Sequence, residues 1–374
     1  MERCDVAIVG GGPAGSSLAW GLRESGLDVL VLDRASFPRD KTCAGWVTPQ
    51  ILADLAIDPA EYAKDRVLQP IRGFRVRRIG DRDALARYSR PVSYGIRRCE
   101  FDHYLLARCG ARTRLGEPFR SAERRGERWL LNGAIDAGLV VGAGGHFCPV
   151  ARKLLGAKSE AEPIVAAQEV EYLLDPGDRD DCPVDAEVPE LYFTRDLRGY
   201  GWVLRKGDYL NVGLGRQDRH RLSDHLRDFV RYLRDLGKLP RRVSDAFHGH
   251  AYLLYPEAPR SLAGDGVLLV GDAAGLAYAR SGEGIRPAVE SGLLAARVIA
   301  AARRPWDREA LAPYPRVLAE RLGPRRPGIG LTDVLPAALA RRVAGLLLSR
   351  PWFARRVVVE RWFLHAAQPA LSAG

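Results

Sequence analysis

The 374-residue sequence has no run of 18 apolar residues free of charge: its best candidate, Val334 to Ser349, is interrupted by Arg341 and Arg342. A membrane-spanning helix is therefore not expected. The six cysteines (Cys4, Cys43, Cys99, Cys109, Cys148 and Cys182) form no CxxC pair and no Cys/His cluster at ligand spacing. That argues against a disulfide framework, a bound metal or an iron–sulfur cluster. No charged-then-apolar leader precedes the apolar strand Val6 to Val9, so a cytoplasmic location is expected. Internal repeats of 20 to 50 residues and low-complexity segments are also missing.

What is present points to a large globular chain. Hydrophobic residues make up 47% and charged residues 28%, enough for one large or two coupled domains with a sizeable core. The net charge of +11 is uneven: residues 303 to 374 hold 13 Arg against 5 Asp and Glu, which places +8 of it in the tail. There Arg341, Arg342, Arg355 and Arg356 interleave with Leu346 to Leu348, Trp352, Phe353, Trp362 and Phe363. Two readings stay open: an interfacial helix giving peripheral contact at the inner face of a membrane, or a packed helix with an Arg-rich solvent face. Nucleic acid is not an expected partner, because no recognition fold or stacking platform accompanies the charge.

The opening segment reads as strand, glycine turn, helix and strand, with the helix placed at Ser16 to Ser25. Gly10-Gly11-Gly12-Pro13-Ala14-Gly15 follows the first strand, the context in which such glycines bring backbone N–H groups to a dinucleotide pyrophosphate. Asp33, followed by Arg34, ends the second strand where a carboxylate can accept hydrogen bonds from a ribose. A second glycine cluster, Gly271-Asp272-Ala273-Ala274-Gly275 and then Ser281-Gly282-Glu283-Gly284-Ile285, lies between a strand and the helix Gly284 to Ala302. Amides at that helix start suit the negative charge of a reduced flavin. No second Gly-rich βαβ unit appears, so a nicotinamide reductant has to bind transiently or electrons have to come from a donor protein.

Together with Arg98-Cys99-Glu100-Phe101-Asp102 and Asp40-Lys41-Thr42-Cys43-Ala44-Gly45, these segments resemble the FAD-dependent geranylgeranyl reductase family. The wider superfamily holds aromatic-ring hydroxylases and flavin-dependent halogenases. The resemblance spans about residues 4 to 300 and keeps the order of all four motifs. It implies an FAD site made of Gly10, Gly12, Ala14, Gly15, Asp33, Arg34, Cys43, Ala44, Gly45, Arg98, Gly271, Asp272, Gly282, Gly284 and Ile285. Cys43 carries two readings, a proton donor beside the flavin or a packing residue. Tyr200-Gly201-Trp202-Val203-Leu204 is similar to the family's aromatic substrate segment, although Leu204 and Arg205 stand where Phe-Pro is usual. Tyr200 and Trp202, two apart on a strand, share a face and either line a polyprenyl chain or sit in the core. Gly144 stands where many relatives place an acid, and His146 and Cys148 after it read as structural.

The implied fold is α/β: a discontinuous Rossmann-like FAD-binding domain (1–45, 96–163 and 257–305), an inserted antiparallel β-sheet substrate domain (46–95 and 164–256) and a helical, basic C-terminal region (306–374). The flavin ring is expected between the two domains. The implied activity is reduction of carbon–carbon double bonds in an isoprenoid or related lipid by hydride from reduced flavin. Two alternatives stay open, an FAD-dependent monooxygenase of an aromatic or lipid substrate and a membrane-associated electron-transfer flavoprotein.

Overall fold

The computed structural model describes residues 1–157, 162–218, 221–240, 246–326 and 334–371. Parts of the expected segments 96–163, 164–256 and 306–374 thus lie outside the described residues. Two compact units emerge, each assembled from three stretches of chain.

The first unit (1–40, 99–163 and 252–327) is built on strands that bury both faces. Val6, Ile8, Val31, Leu32 and Leu139 to Val141 are fully enclosed. Such continuous apolar runs belong in a parallel sheet covered on both sides. Strand order is Ala263–Gly264, Val267–Leu269, Ile135–Gly142, Glu2–Val9, Val29–Asp33 and Arg112–Leu115, with the hairpin Ala122–Arg125 and Arg128–Leu131 attached to Ile135–Gly142. All pairs in the central run from Val267–Leu269 to Arg112–Leu115 are parallel. The first helix starts at Pro13, not Ser16, because proline's fixed φ suits the first helical position and its missing N–H costs nothing there. It crosses the long helix Ile285–Ala301 so closely that a Cβ on Gly292 would lie 2.4 Å from the Ala14 carbonyl oxygen.

The second unit (41–98, 164–251 and 328–374) holds a sheet in the order His248–Leu253, Ile164–Leu173, Tyr209–Arg216, Gly199–Lys206, Glu190–Phe193, Gly73–Arg78 and Ala84–Arg87. Glu190–Phe193 runs parallel to Gly73–Arg78, whereas Ile164–Leu173 with Tyr209–Arg216, Tyr209–Arg216 with Gly199–Lys206, Gly199–Lys206 with Glu190–Phe193, and Gly73–Arg78 with Ala84–Arg87 are antiparallel, so hairpin geometry dominates. One face is apolar: Val170, Val203, Val212 and Leu214 pack under the helix Leu222–Asp235, which offers Leu226, Phe229, Val230 and Leu233 at helical spacing. A small sheet of Trp46–Val47, Ser93–Ile96 and Leu68–Ile71 completes the strands.

The basic tail divides between the units. Residues up to 326 belong with the first, and 334–371 with the second. In the latter stretch the helix Ala337–Leu348 precedes a π-helix, Ala354–Phe363. Phe363 packs on Trp46 (5.9 Å between ring centroids) and Tyr200 (5.2 Å), and Trp362 on Phe193 (6.4 Å). Leu339, Leu346 and Trp352 remain exposed beside exposed Arg341, Arg342 and Arg350. Among the described residues no helix is long and apolar enough to cross a membrane.

Candidate functional site

The predicted residues fall into two groups. Gly10, Gly12, Ala14, Gly15, Asp33, Arg34, Gly271, Asp272, Gly282, Gly284 and Ile285 lie in the first unit, and Cys43, Ala44, Gly45, Arg98, Tyr200 and Trp202 in the second.

In the first group, the turn between Val9 and Pro13 depends on Gly10, whose φ of +119° is closed to L side chains and whose Cβ would sit 2.4 Å from the Ala143 carbonyl oxygen. Asp33 pins this turn. One of its oxygens accepts from the Gly11 N–H at 2.7 Å and the other from the Ala35 N–H at 2.9 Å, while the remaining lone pairs stay available for a ribose. Arg34 is exposed. The helix that follows has no side-chain cap at Gly12 and no acid in its first turn, so its leading amides present positive charge.

Arg39 was not legible as a site residue. Its Nη2 pairs with buried Asp102 at 3.2 Å and lies 3.4 Å from the place a Cβ on Gly12 would take. Its Nη1 is buried with no hydrogen-bond partner among the described residues. An uncapped helix start beside an unsatisfied guanidinium nitrogen is what a diphosphate requires, and on that observation the residues fit FAD. Asp102, from the RxxFD segment, is thus a partner of Arg39, and Phe101 is core. Arg98 begins the helix Arg98–Ala107 and is half-buried.

The second glycine cluster is braced by buried ion pairs. Arg260 and Glu162 pair through two contacts of 2.6 Å, and Arg260 also donates to the carbonyls of His146 (2.9 Å) and Ala273 (2.9 Å). Arg325 donates to the Ala274 carbonyl at 2.6 Å. His146 and Cys148 are buried, and burial pushes the Cys148 thiol up. Gly271 takes φ +59° and donates its N–H to the Ser291 hydroxyl at 3.0 Å. Below the Gly284 cap, Glu283 accepts from the Arg286 N–H at 2.8 Å, and burial pushes its carboxyl up to about 7. Deeper in the same helix Arg286 and Glu290 are each 1% exposed and 2.8 Å apart, and Arg321 grips both oxygens of Glu290.

In the second unit the sheet face opposite the apolar core carries Glu169 and Glu171 on one strand, Asn211 on the next, and Trp202 and Lys206 on the third. These groups close on Cys43–Gly45. Glu169 accepts from the Cys43 N–H at 3.0 Å, Asn211 donates to the Cys43 carbonyl at 3.2 Å, and Lys206 donates to the Ala44 and Ile96 carbonyls at 3.0 Å each. Asn211 also donates to Glu169, and Lys206 to Glu171. Trp202 is buried, its Nε1 donating to Asn211 Oδ1 at 2.7 Å, whereas Tyr200 is half-buried against Phe193, Trp202 and Phe363. Trp202→Phe should cost about 1–3 kcal/mol, because it takes a donor from a buried acceptor. Urea denaturation reads this, and a change near zero would refute the bond's contribution.

A Rossmann-like first unit with a pinned glycine turn and a buried, unpartnered Arg39 Nη1 defines a dinucleotide-binding protein. The comparisons give its kind. Residues 5–99 match a family described as FAD dependent oxidoreductase. A menaquinone reductase of Mycobacterium tuberculosis is 30% identical over 94% of this chain and 86% of its own length. A digeranylgeranylglycerophospholipid reductase of Methanothrix thermoacetophila is 31% identical over 86% of this chain and 84% of its own. The fold is shared with a geranylgeranyl bacteriochlorophyll reductase-like protein from Thermoplasma acidophilum, at a TM-score of 0.78 and 22% identity, covering 99% and 97% of the two chains. This chain belongs to the FAD-dependent geranylgeranyl reductase family, and it is an FAD-dependent oxidoreductase.

Proposed function

We propose that this protein reduces carbon–carbon double bonds of a prenyl-chain lipid. The observation that supports this reading most is the relationship along most of the chain to reductases named for menaquinone and digeranylgeranylglycerophospholipid, both prenyl lipids. When bound and reduced, FAD supplies hydride. The chain's own residues hold and orient. Gly10, Gly12, Ala14, Gly15 and Arg39 take the diphosphate, Asp33 with neighbouring Arg34 the ribose end, and Gly271, Asp272, Gly282, Gly284 and Ile285 the flavin end. Arg98, Ala44 and Gly45 are assigned to the cofactor on the family pattern alone. The Cys43 thiol donates the proton that completes addition of hydrogen across the double bond and is reprotonated from water. Tyr200 offers the half-buried aromatic surface for a prenyl chain, with Trp202 fixing the strand behind it.

The test is anaerobic. Flavoprotein reduced by dithionite is mixed with a geranylgeranyl lipid, and the expected result is flavin reoxidation without oxygen and a product heavier by two hydrogens. Oxygen mass gained only on admitting air would support a monooxygenase instead, and no response to either would leave an electron relay to a quinone. Replacing dithionite by NAD(P)H in the same cell tests a transient nicotinamide donor, whose failure would point to a donor protein.

A lipid substrate has to be reached at a membrane surface, and we assign that contact to the face bearing Leu339, Leu346 and Trp352 among Arg341, Arg342 and Arg350. Exposed apolar groups interleaved with cations bind anionic bilayers through both terms. Sedimentation with phosphatidylglycerol vesicles should pull the protein down. Leu346→Ser with Trp352→Ser should abolish this, and equal binding to phosphatidylcholine would contradict the charge contribution.

A further inference from the structure

Most of the residues that grip Cys43–Gly45 come from the sheet, and each does so through the segment's backbone. Glu169 takes the Cys43 N–H, Asn211 the Cys43 carbonyl and Lys206 the Ala44 carbonyl. Lys206 and Asn211 are fully buried and Glu169 is 6% exposed. Burying an acid, an amide and an ammonium under a three-residue loop is costly unless their bonds are made, so the loop and the sheet hold one another. The room for this comes from Gly213, where a Cβ would lie 2.2 Å from the Trp202 ring and 2.8 Å from the Glu169 Cβ.

We propose that Glu169, Asn211 and Lys206 are positioning residues that set the place of the Cys43 thiol, and that Glu169 makes this grip dependent on proton concentration. The catalytic use of that thiol rests on the function proposed above, whereas the grip itself does not. As a carboxylate, Glu169 offers two acceptor oxygens, one to the Cys43 N–H and one to Asn211 Nδ2. Once protonated, one of these oxygens becomes a donor facing another donor, and the segment is released. The groups around it are the Lys206 ammonium, the Glu171 carboxylate with its Arg97 partner, and Cys43. Burial pushes the Glu169 carboxyl up to about 7, with Lys206 and the Cys43 N–H opposing. Glu171, half-buried, is kept below the ordinary range chiefly by Lys206. Loosening therefore belongs to Glu169 and sets in as pH falls through neutrality.

The experiment is alkylation of the holoprotein with iodoacetamide, reading the rate at Cys43 relative to that at Cys182 by peptide mass spectrometry. Cys182 is likewise half-buried and serves as the internal reference for reagent and conditions. In the unaltered protein the ratio is expected to rise about threefold as pH falls from about 8 to about 6, the range in which Glu169 takes its proton. Glu169→Gln, an isostere of the protonated acid, should show the raised ratio at both ends. A flat ratio in the unaltered protein, or a pH profile of Glu169→Gln matching it, overturns the proposal. Should Glu169→Gln fail to fold, the unaltered protein's profile decides alone. Loss of flavin absorbance, or no reoxidation by prenyl lipid, would count against the function while leaving the alkylation result intact.

Discussion

Glu290→Ala is expected to destabilise the protein by about 3–5 kcal/mol, the cost of removing one partner from a buried ion pair. Glu290 and Arg286 are each 1% exposed, and Arg321 holds the same carboxylate through contacts of 2.6 and 2.9 Å. Water cannot replace the lost acceptor at that depth, so two guanidinium groups lose their shared counter-charge. Replacing the whole triad, Arg286 and Arg321 by Met and Glu290 by Leu, should recover most of the loss, since well-packed apolar groups often match a buried ion cluster. Chemical denaturation of holoprotein followed by circular dichroism reads both. A single variant within about 0.5 kcal/mol of the parent would show that the triad contributes little.

Arg39→Met should weaken FAD binding about 10- to 100-fold, the equivalent of one charge-assisted hydrogen bond to a phosphate. The buried, unsatisfied Nη1 motivates this size of effect. The substitution also removes the Arg39–Asp102 pair at 3.2 Å, so some stability should go with it. Asp102→Asn separates the two: it perturbs the same pair but leaves the guanidinium, and flavin retention should change far less. Flavin release measured by fluorescence after gel filtration is the readout. Equal flavin loss in both variants would mean that Arg39 acts only through the fold.

The βαβ opening was legible because strand, glycines and Asp33 lie within one short stretch and each serves the same turn. Arg39 was not, because its value comes from Gly12 and Asp102, which no local pattern joins to it. Glu169 and Glu171 mislead in a different way. Alternation with Val170 on a strand reads as a wet face, yet Glu169 is buried beneath the Cys43 segment and Glu171 is half-buried against Lys206. Period two gives the face correctly, but what covers a face is a tertiary matter. Arg112–Leu115 carries no strand signal of its own, because it is short and arginine-rich, as suits an edge. The tail admits two readings from charge and apolar content alone, and its residues divide: Trp362 and Phe363 are packed while Leu346 and Trp352 face solvent.

The close crossing of the first helix by Ile285–Ala301 bears on how the chain is made. Gly292 meets the Ala14 backbone across a separation that the ribosome fills at about 5–20 residues per second, so the partner follows after roughly 15–55 s. Within that interval the apolar Glu2–Val9 strand waits for Ile135–Gly142 during roughly the first half, and that strand for Val267–Leu269 during most of the rest. Synthesis therefore holds a sticky, half-paired sheet open for most of translation. Expression yield should respond to chaperone supply and growth temperature more than the finished protein's stability would indicate.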